Sequence, residues 1–315
     1  MNEMPDFMDA TLPEHGIFHP TRREFIEALA LGSAGLLLGA PSFADAAPKY
    51  PLNYQVNALV KRLRSRGIIR SDERTAWSVY DFTTRKKLVA INEDVPLQAA
   101  SMIKPFVAQA FFYQARSSRK VRYTAEVRRT MERMIRRSSN SATNRLMSIV
   151  SRNEGNRGPR DVERVLKRHG GGIFRETRIV ETIPAGGRTY RNLASAHDYS
   201  RFLYALWKNK LPYARELRAI MALSNRDRIS TGVKSVPASV KVYDKTGSTA
   251  RLCGNMGIVE APGRRGGTYP YTFIGIIEKP SRAKNYGSWI TRRSNAIRAV
   301  SNLVYLEMKE RHRLV

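Results

Sequence analysis

Strand-like patterning in this chain is confined to its two ends. Near the beginning, "TAWSVYDFTTRKKLVAINED" (residues 75–94) reads as two strands joined by a polar turn at Thr83 to Lys86. Near the end, "SVKVYDKTG", "RLCGNMGIVEA" and "YPYTFIGIIEK" read as three more. Between them, apolar residues recur at helical spacing in the segments 124–135, 141–150, 162–168, 194–206 and 214–223. Two further helical patterns, 54–66 and about 289–310, flank the strands. The expectation is an α/β fold of α+β sandwich type: an antiparallel sheet assembled from both chain ends with flanking helices, and an inserted all-helical subdomain. The α/β part would span about 51–98 and 236–315, and the helical part about 99–235.

The first 46 residues are of another kind. Arg22 and Arg23 precede Phe25-Ile26, an apolar run extends from Ala28 to Ala40, and Ala44-Asp45-Ala46 offers a small-x-small cleavage pattern. This is the pattern of a twin-arginine export signal, and its apolar run is too short to span a bilayer. Residues 47–315 would then work outside the cytoplasm, in the periplasm or the extracellular space, as one monomeric unit. The formal net charge is +28, and the leader holds two arginines against seven carboxylates, so the positive excess lies in the exported part. Such a surface favours anionic cell-envelope polymers. The charges are dispersed and no nucleic-acid motif accompanies them, so no nucleic-acid partner is expected, and a solvated arginine-rich surface is the plainer account.

Cysteine and histidine narrow the chemistry by their scarcity. Cys253 is alone, so no internal disulfide can form. Of five histidines, His15 and His19 are in the leader, His312 is in the tail and His169 abuts Gly170-Gly171-Gly172, which leaves His197. No metal or other cofactor is expected, and a Ser-His-Asp triad would rest on His197 alone. A reactive serine here needs another base.

The stretch Ala100-Ser101-Met102-Ile103-Lys104-Pro105-Phe106 supplies one, because it places a lysine at the head of the apolar run "FVAQAFF". A buried ammonium is costly unless paired, and burial lowers its pKa, so a neutral Lys104 amine can take the proton of Ser101. Pro105 suits the first turn of a helix that Ser101 would open. Ser117 to Lys120 and Ser281 to Lys284 share the spacing without that setting. Downstream, Ser138-Ser139-Asn140 stands just before a helix, with Ser151-Arg152-Asn153 as a rival, and Lys245-Thr246-Gly247 ends a strand pattern. Plain structural roles are available to each: N-caps for Ser101 and Ser138, and a turn pair for Thr246-Gly247.

The ordered trio resembles the class A β-lactamase-like superfamily of penicillin-recognising serine hydrolases, whose signature is S-x-x-K, S-D-N and K-T-G. The resemblance covers nearly all of the chain after the leader, including "SATN" and "RNLASAHDYSRFL". It implies that Ser101 is the acylated nucleophile, Lys104 its base or proton relay, and Ser138 the donor to the leaving nitrogen. Asn140 would hold the substrate amide. Lys245 and Thr246 would bind a substrate carboxylate beside Gly247, and the N–H groups of Ser101 and Ser248 would form an oxyanion hole. There are departures. Ser139 replaces the family's aspartate, the first two motifs lie closer together, and in "FRETRIVETIPAGG" Glu176 takes the position of the water-activating glutamate while Val180 stands where its asparagine partner belongs. Glu181 is a rival for the glutamate's role. The implied activity is hydrolysis of β-lactams through an acyl-enzyme. The alternatives are cleavage of D-Ala-D-Ala cell-wall peptides and a non-catalytic cell-wall binding module.

Overall fold

The structure is a computed structural model that describes residues 50–184, 190–223 and 226–315; the leader lies outside the described residues. Helix α1 (Leu52–Ser65) places Leu52, Val56, Val60 and Leu63 on one buried stripe. The hairpin β1 (Arg74–Asp81) and β2 (Lys86–Ile91) follows, and its ladder shifts register between Val79 and Tyr80. Next come the two-residue strand β3 (Leu97–Gln98), a 3₁₀ turn (Ala100–Ile103) and α2 (Lys104–Ser117). Three helices then pack round α2: α3 (Ala125–Arg136), α4 (Asn140–Arg152) and α5 (Arg160–His169). Strand β4 (Leu193–Ala194) pairs with β3 and leads into α6 (Ala196–Trp207) and α7 (Ala214–Met221). The chain closes with β5 (Lys241–Ser248), β6 (Leu252–Pro262), β7 (Thr268–Glu278) and α8 (Tyr286–His312).

The sheet order is β2-β1-β7-β6-β5, antiparallel throughout, so strands from the two chain ends meet at the β1–β7 seam. Alternate residues feed two cores. Trp77, Val79, Val259 and Ile277 face α1 and α8, whereas Tyr80, Met256, Ile258 and Ile274 join the cluster built on α2, α4 and α6. Because both faces are covered, β6 is buried almost without interruption. Helix α2 is buried continuously from Lys104 to Gln114, the mark of a central helix rather than an amphipathic one.

The expected architecture is the observed one, with a difference where it matters most. Ser101 does not open an α-helix: it lies in the 3₁₀ turn, and α2 starts at Lys104. Pro105 is the reason. An α-helical bond to the Ser101 carbonyl would come from residue 105, which has no N–H, so the Lys104 N–H takes that carbonyl instead. The turn is set up by Ala100 at φ 45° and by the Met102 N–H on the Ala99 carbonyl. Among the described residues, no helix is long and apolar enough to cross a membrane.

Candidate active site

The 3₁₀ turn brings Ser101, and the start of α2 brings Lys104, to the link between α3 and α4. Lys104 is fully buried, and its Nζ donates to Ser101 Oγ at 3.0 Å, Ser138 Oγ at 3.0 Å, Asn140 Oδ1 at 3.0 Å and the Ser138 carbonyl at 2.5 Å. Ser138 offers two oxygens at once because it adopts a left-handed conformation, φ 53°. The N-cap of α4 is therefore the next residue. Ser139 Oγ accepts from the Ala142 N–H, which corrects the sequence expectation that Ser138 would cap. Serine at the family's aspartate position preserves this role, since both residue types cap well.

No carboxylate hydrogen-bonds or ion-pairs with Lys104 among the described residues. Burial, and then the like charge of Lys245, bring its pKa down to about 7. Lys245 is itself buried, and its pKa is lowered to about 8 by burial; Asp244 opposes that shift and Arg228 adds to it. Each lysine is thus held where its proton is lost more readily than in water.

Close approach of β5 to the turn depends on glycine. A Cβ on Gly247 would stand 3.0 Å from Met102 Cγ and 3.3 Å from Ala100 Cβ, and one on Gly254 would stand 2.6 Å from Met102 Cε. Met102 is thus wedged between the bare backbones of β5 and β6, which locks the strand bearing Lys245 against the turn bearing Ser101. Thr246 and Ser248, two residues apart and both half-buried, share the other face of β5.

Arg228 was missed by sequence reasoning. Its buried guanidinium donates to Ser248 Oγ at 2.7 Å, the Gly254 carbonyl at 2.8 Å and Ser294 Oγ at 2.8 Å, so it sits directly behind the K-T-G strand. Nothing in "NRDRIS" sets this arginine apart in so arginine-rich a chain.

Among the described residues, no hydrogen bond ties Glu176 to this constellation. Its backbone N–H donates to Asp198 Oδ2 at 3.0 Å, beside Thr177 Oγ1 on the same oxygen, which draws the residue toward the start of α6. Glu181 is committed elsewhere: its Oε1 accepts the Tyr190 and Arg191 N–H groups, each at 2.8 Å. Asn192 Oδ1 takes the Val180 and Glu181 N–H groups. The part of this stretch tied to α4 is Ile183, whose N–H and carbonyl both bond the Asn144 amide, at 2.8 and 2.6 Å. Asn144 lies one turn beyond Asn140, on the same side of α4.

His197 plays no part at Ser101. Its Nδ1 bonds Asp94 Oδ1 at 2.7 Å. Glu93, Asp94 and His197 converge within 4.8 Å, and Lys87 Nζ already answers the Glu93 carboxylate through Oε2 at 2.6 Å.

The family model described as "Beta-lactamase enzyme family" matches residues 116–306. Among solved structures, this chain is similar to PBP-A, with 19% identity, 84% of this chain and 99% of that chain covered and a TM-score of 0.65. A point mutant of PBP-A, solved as an acyl-enzyme complex with penicillin G, aligns with a TM-score of 0.62 at 19% identity over the same shares. A β-lactamase from Desulfarculus baarsii aligns with a TM-score of 0.65 at 17% identity, over 81% of this chain and 98% of that chain. No curated protein matches.

Proposed function

The chain belongs to the β-lactamase enzyme family, and on that premise we propose that it is a serine hydrolase that opens β-lactams through an ester on Ser101. One observation carries the reading: a single buried amine, Lys104 Nζ, lies 3.0 Å from both Ser101 Oγ and Ser138 Oγ, with its pKa near 7. At neutral pH a large fraction of that amine is unprotonated and able to accept the Ser101 proton as Oγ attacks the carbonyl carbon. The C–N bond then breaks, and the proton reaches the leaving nitrogen through Ser138 Oγ. Asn140 holds the substrate amide, Lys245 and Thr246 take its carboxylate with Arg228 adding positive potential, and the Ser101 and Ser248 N–H groups stabilise the oxyanion. Water completes the cycle by cleaving the ester. Glu176 is the remaining carboxylate of its stretch for activating that water, since Glu181 is occupied.

A second reading, cleavage of D-Ala-D-Ala peptides, is favoured by the lack, among the described residues, of a carboxylate bonded to Ser101 or Lys104. A peptide acyl-enzyme loses its leaving group and so admits water with less help. The reading places the protein outside the cytoplasm, delivered by the leader.

Incubation with a fluorescent penicillin tests the proposal. Label is expected on the peptide containing Ser101 and is expected to vanish in Ser101→Ala; label that persists in that variant would overturn it.

A further inference from the structure

Away from Ser101, the first turn of α8, the loop that follows β7 and the turn between α1 and β1 enclose a pocket of about 540 Å³. Its wall is strongly basic. Arg70, Lys279, Arg282, Lys284, Arg292 and Arg293 line it, against one carboxylate, Asp72. Two of these cations are answered locally. Glu73 accepts from Arg293 Nε and Nη2, and also from Trp289 Nε1, so its oxygens are spent, while Asp72 pairs loosely with Arg70 at 3.8 Å.

The other four have no carboxylate partner among the described residues. Arg292 donates only to Ser288 Oγ. Lys279 is the informative one. It is 8% exposed, its ammonium has no hydrogen-bond or ion-pair partner among the described residues, and it belongs to the pocket wall. Its stem is covered while the ammonium itself still reaches solvent, so this charge stands at the pocket with no protein acceptor to compete with an anion. The same wall contains Asn285 and Ser288, the cap and first turn of a helix running to His312, whose aligned peptide dipoles add positive potential at this end.

We propose that this pocket is a binding site for a multiply charged anion of the phosphate type, with Lys279, Arg282, Lys284 and Arg292 as the cations that hold it. Arginine forks match phosphate oxygens in geometry, and the ammonium of Lys279 supplies a point charge beside them. The site also communicates with the catalytic strand. The Lys279 N–H bonds the Arg251 carbonyl at 2.8 Å and the Ala283 N–H bonds the Ala250 carbonyl at 2.7 Å, and both acceptors lie in the β5–β6 turn shortly after Ser248.

Isothermal titration of the leaderless protein with inorganic pyrophosphate, at fixed ionic strength, is the test. Saturable binding with one site is expected. Lys279→Met, close in shape and apolar, should weaken it at least tenfold, and Arg282→Gln, at an exposed position, should weaken it several-fold; both variants should retain penicillin labelling at Ser101. Co-sedimentation with phosphatidylglycerol vesicles separates the two sources of such a group. Vesicle binding that depends on Lys279 and is displaced by pyrophosphate assigns a lipid headgroup, and pyrophosphate binding without it assigns a soluble phosphate. Affinity unchanged in both variants, or heat that does not saturate, would overturn the proposal.

Discussion

Lys104 is held under opposed demands. As an ammonium it has four oxygen acceptors, yet the chemistry proposed for Ser101 needs it as a free amine. Burial and Lys245 tip that balance toward neutrality, and the consequence can be measured. Acylation should rise with pH as Lys104 loses its proton near 7 and fall as Lys245 loses its own near 8, a narrow bell belonging to the coupled pair. In Lys245→Ala the neighbouring charge is gone, so Lys104 holds its proton to higher pH and the rising limb should move upward while acylation slows. Stopped-flow acylation across pH reads this directly; an unmoved limb would break the coupling. Ser101, Lys104, Ser138 and Lys245 were visible in the sequence because each sits in a short run whose residue types are chemically demanding. Arg228 was not, because its position is defined by Ser248 and Gly254, which only the folded sheet brings to it. Nor could the sequence separate Ser138 from Ser139 as the cap, since the choice turns on the left-handed backbone at Ser138.

At the level of elements, the long periodic segments were legible and the irregular ones were not. Two-residue strands such as β3 and β4 carry no period, and the 3₁₀ turn at Ser101 follows from an N–H that Pro105 lacks rather than from any pattern of hydrophobicity. The stretch that would activate water is the least readable of all. The family resemblance put Glu176 forward, whereas contacts with distant residues draw Glu176 toward Asp198 and stitch Ile183 to Asn144. Neither Val180 nor Ile183 can hold a water molecule by hydrogen bonding. General-base catalysis is worth roughly 10²- to 10⁴-fold, and with no second side chain to position the water that Glu176 would activate, part of it is forfeited, so acylation by penicillin should outrun deacylation. Intact-protein mass spectrometry at steady state should show mainly the adduct. Free enzyme alone during rapid penicillin consumption would show that a carboxylate does position the water.

On the scale of the whole molecule, the gathering of strands at the chain ends was the most dependable feature of the sequence, because short apolar runs rich in β-branched and aromatic residues and bounded by turns leave few other arrangements. The leader makes a separate prediction. With Arg22→Lys and Arg23→Lys together, the protein should remain in the cytoplasm on fractionation, and undiminished export would refute the twin-arginine reading. The β1–β7 seam has a consequence in time as well as in space. Eight residue pairs join Arg74–Asp81 to Thr268–Glu278, yet a ribosome adding roughly 5–20 residues per second completes β1 about 10–40 s before β7 exists. For that interval Trp77, Val79 and Tyr80 have no sheet to enter, and the young hairpin presents an open, apolar edge to every other chain nearby. The distance between the two halves of this sheet along the sequence is thus also a period of exposure, during which a nascent chain needs a chaperone's cover.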